Sequence, residues 1–437
     1  MRSMLKKFLK KNIYLFTIIV LAFLPGFVSA QQTSVDTLHL TLIKAEEIFL
    51  QKNLILLANQ YNVDINKALV QQAKLWDNPI LNTDQNIYDG KFFRHTTTND
   101  IKYGQIYIQV QQLVRTAGKR NKLVQLASDN VTLSQLQFND ILRSLKYSLQ
   151  SDFVETVHLL KIKTVYNNEI VEVEKLVKGM DEVLKLGDIS LKENIRLKAL
   201  LFSLQNEEIN VNTALIPIQS EIKLLLQLDE NSFIKPELTY SLPNLIIEKL
   251  PQNDSLINLA YTNRTDILIA KSQLDFQKDN LIYQKSLAKP DVTLGVEYDQ
   301  NSSYIRNLYG LTASIPLNIF NKNQGNVSAA KLGIKQQEVQ VDFQNNKVKN
   351  EVQTSVNKIK YYQQINNKEQ LNFSNTYDKL FQNMLESYQQ RRTNLLEFID
   401  FIDAYKDTKL KLIEQHIALV KAFSEINYIT NQNIIKL

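Results

Sequence analysis

The chain has no cysteine in 437 residues, and only ten glycines and eight prolines. Without cysteine there is no disulfide framework, no thiolate site and no lipid-bearing N-terminal cysteine. Gly and Pro are missing altogether from residues 121–178, 188–216, 252–289 and 334–437. Such stretches read as helix, since Gly costs backbone entropy inside a helix and Pro removes a hydrogen bond. Only Met180 and Met384 follow the first thirty residues, too few for a thioether relay for soft metals. His39, His95, His158 and His416 are scattered, none at HxH or HxxxH spacing. No phosphate-cradling glycine loop or nucleophile elbow occurs. These absences speak against an enzyme and give no sign of a resident cofactor or metal.

Long apolar runs are also lacking, with one exception at the start. Arg2, Lys6, Lys7, Lys10 and Lys11 precede the apolar run Ile13 to Leu24, which Pro25-Gly26 breaks before Val28-Ser29-Ala30. This is the layout of an export signal, and the run falls short of the ~20 residues of a spanning helix. Residues 1–30 are therefore expected to be a signal peptide cleaved after Ala30. Its loss takes five of the 51 Lys and Arg and leaves 46 against 45 acids. A balance so close to zero gives no reason to invoke nucleic acid.

What is present is a repeat. In the first half a helical run ends at Leu75-Trp76-Asp77-Asn78-Pro79. Short strand-like pieces follow, then Thr116-Ala117-Gly118-Lys119-Arg120 and a very long helical run. In the second half a run ends at Leu287-Ala288-Lys289-Pro290, followed by alternating strand pieces, Asn321-Lys322-Asn323-Gln324-Gly325 and another long helical run. Gln51-Lys52-Asn53-Leu54 answers Tyr261-Thr262-Asn263-Arg264. Duplication of a helix, hairpin, helix unit decides the architecture before any single motif does. The expected organisation is a first repeat over 31–230 and a second over 254–437. Residues 231–253 form a linker, and Pro217, Pro236, Pro243 and Pro251 cluster between the halves.

Within the long runs apolar residues recur at three and four, as at Leu142, Leu145, Leu149, Phe153, Val157 and Leu160, and at Val348, Val352, Val356 and Ile359. That is the narrow seam of coiled-coil helices. Gly187-Asp188-Ile189-Ser190 interrupts the first run, and Arg391-Arg392-Thr393-Asn394 is its counterpart in the second. Each half then holds an outgoing helix, a tight turn and a returning helix. The strand pieces, about 80–114 and 291–318, alternate in polarity. Val292, Leu294, Val296 and Tyr298 face opposite Thr293, Gly295, Glu297 and Asp299. Such alternation suits a lipid-facing barrel strand and equally a half-buried hairpin. Four strands could not span a bilayer as an open sheet, because the edges would carry unsatisfied backbone groups.

At this point the residues resemble a family. Ser314 to Ala330, with Phe320-Asn321-Lys322-Asn323-Gln324-Gly325 at its centre, is similar to the strand-to-helix passage of TolC-like outer membrane efflux proteins, most of all their heavy-metal (CzcC-type) branch. Gln112 to Arg120 is similar to that branch's Gly-Lys-Arg passage, and Leu40 to Ala45 to the family's opening segment. The resemblance implies a mainly α fold, with long helical hairpins forming a periplasmic α-barrel. It implies a homotrimer whose four strands per chain share one twelve-stranded barrel in the lipid of the bacterial outer membrane. It implies a passive duct docked to a periplasmic adaptor and an inner-membrane pump, exporting metal cations. Drug efflux or type I protein secretion through the same duct remains open, as does a coiled-coil surface protein without a pore. Pro79, Gly118, Pro290 and Gly325 would mark the strand–helix junctions. Gly187, Asp188, Ile189, Ser190, Arg391, Arg392, Thr393 and Asn394 would form the adaptor-docking turns. Asp400 and Asp403, in Asp400-Phe401-Ile402-Asp403-Ala404, resemble the acidic pair of the family's periplasmic aperture. On the residues alone they also fit a solvated helical face.

Overall fold

Thr41 and Asn53 open the chain's first two helices by the same device. Each side chain accepts a backbone N–H three residues on, from Lys44 at 3.3 Å and from Leu56 at 3.0 Å. The computed structural model describes residues 36–88, 90–93, 97–98, 101–102, 104–187, 189–237, 249–303 and 305–435. Residues 1–30, expected to be a signal peptide, Asp188 and Pro243 lie outside these. In chain order the first half holds β1 (Asp36–Thr41), α1 (Leu42–Lys52), α2 (Leu54–Ala73), β2 (Ile80–Gln85), β3 (Thr97–Thr98), β4 (Ile101–Lys102), β5 (Ile106–Val114), α3 (Lys119–Lys185) and α4 (Leu191–Leu226). After β6 (Ser232–Glu237) come α5 (Asn253–Asn263), α6 (Thr265–Leu287), β7 (Val292–Asn301), β8 (Arg306–Ser314), α7 (Gln324–Ile365), α8 (Lys368–Gln389) and α9 (Leu395–Thr430).

The α3 helix is the spine. Its 67 residues reach roughly 100 Å at 1.5 Å per residue. Three apolar clusters lie along it. Leu149 and Phe153 pack with Phe49 of α1, Ile222 and Leu226 of α4 and Ile234 of β6. Val154 and Val157 join Val348, Val352, Val356 and Ile359 of α7 and Val420, Phe423 and Ile426 of α9. Tyr166, Ile170 and Val173 meet Phe381 of α8 and Phe398 and Ile402 of α9. Each fully buried Leu, Ile or Phe contributes about 1.5–3 kcal/mol, so the spacing of the seam residues holds the bundle in register.

Four details differ from the pattern in the sequence. The position of Asn53 between its two helices is taken by Arg264, one residue beyond Asn263. Pro217 lies inside α4 rather than among the linker prolines. Pro236 sits in β6, which pairs in parallel with β1 and brings Leu40 opposite it. Finally, the second long run is broken. Asn366 ends α7 and donates to Gln415 O of α9 at 3.2 Å, while Asn367 opens α8 by accepting from Gln370 N at 3.0 Å. Two side chains that compete with the helix backbone stand side by side, and an i→i−4 ladder breaks there without Gly or Pro.

Candidate functional site

The strands form one antiparallel sheet in the order β2-β5-β7-β8. Register sorts its residues onto two unlike faces. On one, Leu81, Val110, Val296 and Leu311 stand in a row, flanked by the row Ile108, Tyr298 and Tyr309. This face is bare: Leu311 is 89% exposed and Tyr309 80%. The rings of Tyr298 and Tyr309 lie 5.2 Å apart at its margin. Solvent-exposed aliphatic rows bounded by aromatics suit hydrocarbon with an interfacial girdle.

The opposite face is polar and tied together. Tyr107 Oη donates to Glu297 at 2.9 Å, Gln109 Nε2 to Glu297 at 3.3 Å and to Thr312 at 3.1 Å, and Asn82 Nδ2 to Gln109 at 3.2 Å. Gln105 donates to Asp299 at 2.7 Å. Glu297 lies flat across Gly310, where an added Cβ would stand 2.8 Å from its carboxylate. Strands β5, β7 and β8 have nine, ten and nine residues, the length that crosses a bilayer when tilted. Neither edge strand, β2 or β8, has a further strand partner among the described residues.

Between sheet and helices the chain turns through a bonded junction. Pro79 and Pro290 stand just ahead of β2 and β7. Gly118 takes φ +65° immediately before α3. The same left-handed step before α7 belongs to Asn323 at φ +57° and not to Gly325, which lies in the helix's first turn. Asn323 donates to Gln284 O at 2.8 Å, a bond glycine could not make. Lys119, nearly buried, donates to Lys289 O at 2.6 Å and Asp291 at 2.7 Å, and Thr116 N also donates to Asp291. Arg115 grips Asp77 through two bonds of 2.8 Å. Asp77, Arg115 and Lys119 lie inside the sequence motifs, but their pairing does not show there, because each pair is joined across at least 38 residues.

At the far ends of the long helices the two turns are built alike. Gly187 and Arg391 both take left-handed φ, at +81° and +56°. Ser190 and Asn394 are the N-caps of the returning helices and accept from Glu193 N and Glu397 N. Glu193 completes a capping box with Ser190. Ile189, Arg392 and Thr393 fill the turns, and Leu186, Leu191 and Leu396 are exposed beside them. Asp400 and Asp403 are both exposed on α9, one turn apart. Asp403 is not a bare charge, for Lys406 Nζ stands 3.3 Å from it.

Two helices carry apolar stripes that nothing covers. On α4 these are Ile195, Phe202, Ile209 and Ile216, each seven residues after the last; on α7 they are Leu332, Val339 and Phe343. A heptad stripe facing solvent has the pattern of a coiled-coil partner surface. Among the described residues no group of three or more His, Asp or Glu could hold a metal ion. No helix there is long and apolar enough to cross a membrane.

The fold has known counterparts. A membrane protein from Pseudomonas aeruginosa superimposes with a TM-score of 0.72 at 13% identity, over 89% of this chain and 93% of that one. CusC, described for transmembrane channel formation, gives 0.71 at 15% identity over 89% and 92%. The outer membrane protein VceC from Vibrio cholerae gives 0.71 at 14% identity over 90% and 96%. No protein-family model matches the sequence, and no curated protein matches it. The chain thus has the TolC-like fold of outer membrane channels, mainly α with a small sheet.

Proposed function

We propose that this chain is the exit duct of a tripartite efflux system, set in the bacterial outer membrane with a long periplasmic part. The observation that carries this reading is the four-stranded sheet, apolar on one face, polar on the other and open at both edges. An open edge in hydrocarbon leaves backbone groups unbonded, at a cost of several kcal/mol each. Three copies joined edge to edge close the wall, put the Leu311 rows against lipid and turn the Glu297 network to the lumen. The α4 and α7 stripes then meet between copies, and α3 with its neighbours forms the periplasmic barrel. The homotrimer is passive; the turns at Gly187–Ser190 and Arg391–Asn394 dock the periplasmic adaptor of an inner-membrane pump.

Mass measurement of the detergent-solubilised protein tests this closure. A monodisperse trimer is expected, and a stable monomer or dimer overturns the shared barrel.

Metal cations are the proposed cargo. Asp84, Glu297 and Asp299 share the polar face of the sheet, and Asp400 and Asp403 would line the periplasmic mouth. Rings of carboxylate attract cations and resist anions. Deletion of the gene is expected to sensitise cells to transition-metal salts, with rescue by the intact gene. Sensitivity to hydrophobic drugs alone would give the duct the other cargo.

A further inference from the structure

A cavity of about 810 Å³ opens between α3, α8 and α9, lined by Lys161, Glu169, Asp378, Tyr405, Lys409 and His416 among others. Asp378 is well supplied, accepting from Tyr405 Oη at 2.7 Å and Lys409 Nζ at 2.8 Å. Glu169 is not. It is 1% exposed, and neither carboxylate oxygen has a hydrogen-bond partner. Its helix neighbours Tyr166, Ile170 and Val173 pack on Phe398, Ile402 and Tyr405 of α9, so its carboxyl lies in the α3–α9 seam. A group buried within one protomer stays buried whatever assembles around it.

We propose that Glu169 is a proton-operated latch between α3 and α9. Protonated, it packs as a neutral side chain; ionised, it draws Lys406 off Asp403 and loosens the start of α9. The latch itself rests on the packing, and its effect on the duct rests on the reading of Asp403 as an aperture residue.

The charged surroundings support this assignment. Burial pushes the Glu169 carboxyl up to about 8; Lys406 opposes that rise, and Asp403 and Asp407 add to it. Lys406 stands 3.3 Å from Asp403 and 3.9 Å from Asp407, and it acts on Glu169 through its charge without a hydrogen bond. On α3 itself the neighbouring groups are Lys161, Tyr166 and Glu172, and from α4 Glu207 faces Tyr166. From α8 come Asp378 and Lys379, and from α9 Tyr405, Lys409 and His416 as well as Asp403, Lys406 and Asp407. His416 does not compete near neutrality. Burial, then Lys161 and Lys409, push it down to about 4.

Hydrogen exchange of the full chain in detergent, corrected for the chemical exchange rate, tests the latch. Between about pH 7 and pH 9 the wild-type segment Leu395–Asp407 is expected to lose protection about tenfold, while Glu169→Gln keeps it. Equal loss in both proteins, or none in either, overturns the proposal. Lys406→Met provides a second check: with the cation that the latch moves gone, the loss of protection must shrink or move to higher pH, and an unchanged transition overturns the proposal. Single-channel conductance separates the two layers. Exchange that follows pH beside conductance that does not leaves the latch standing and removes its link to the aperture. No conductance in any variant at any pH counts against the duct and not against the latch.

Discussion

Lys119 is the side chain on which the strand–helix junction depends. It is 5% exposed and bonds a carbonyl and a carboxylate contributed by the other half of the chain. Removing the cation alone leaves Asp291 with only the Thr116 N–H bond and the field of Arg115 to offset its charge. Lys119→Met is therefore expected to cost about 3 kcal/mol, read as a lowered melting temperature, and adding Asp291→Asn should recover part of that loss. Nothing in Thr116-Ala117-Gly118-Lys119-Arg120 announces this partner, because a pair 172 positions apart is made by topology and leaves no local spacing. Gly118 marks its junction and also takes the left-handed step there, whereas at the second junction Gly325 marks the place and Asn323, two residues earlier, takes the step. Asn is one of the few residues besides Gly that adopt that conformation, and here it adds a bond to Gln284. Arg391 is the opposite case, a long side chain at a φ of +56° where the other turn has Gly187. Arg391→Gly should stabilise that turn by about 1 kcal/mol, measurable by thermal unfolding.

Among the elements, α3 links acid and alkaline behaviour in one helix. Glu155 is held down to about 2, first by its bond with His158 and then, against burial, by Lys421 of α9. Its contribution is present above about pH 4.5 and is lost as pH falls toward 2. Glu169 has the opposite sign: raised to about 8, it favours the fold fully below about pH 4.5 and loses that contribution as pH climbs through 8. Taken together, these two carboxyls favour the fold most near pH 4.5 to 5. Glu169→Gln should remove this residue's share of the alkaline decline, on the order of 3–5 kcal/mol at most, and leave that of Asp152, which burial raises to about 7. Melting curves by circular dichroism at about pH 5, 7 and 9 decide this, and equal slopes for both proteins would exclude it. The helices themselves were readable from missing Gly and Pro and from the seam at Val348, Val352 and Val356. Their ends were less so, because Asn366 and Asn367 break the run by hydrogen bonding rather than by conformational exclusion. The α4 stripe belongs to this scale as well. Phe202→Asp with Ile209→Asp should abolish the proposed trimer on a sizing column while leaving the monomer's helix content unchanged.

Over the whole molecule, threefold closure would turn single charges into rings, and the periplasmic mouth is where that matters most. Asp400 and Asp403 share one face of α9, so three copies would gather six carboxylates about the axis. Like charges held close repel, and protons, bound cations or basic neighbours must offset them. The neighbours are unequal: Lys406 stands 3.3 Å from Asp403, whereas among the described residues no ion pair is found for Asp400. A trivalent cation added from the periplasmic side should therefore plug the channel mainly through Asp400. In planar bilayers, Asp400→Ala is expected to weaken the block at least tenfold, Asp403→Ala to weaken it less, and Lys406→Met to tighten it, since Asp403 then joins the ring unshielded. Each tenfold change is 1.4 kcal/mol of binding, a size that two or three exposed charges at screened distances can supply. Equal block in wild type and Asp400→Ala would put these carboxylates on an ordinary solvated face, with the narrowest point of the duct elsewhere along α9.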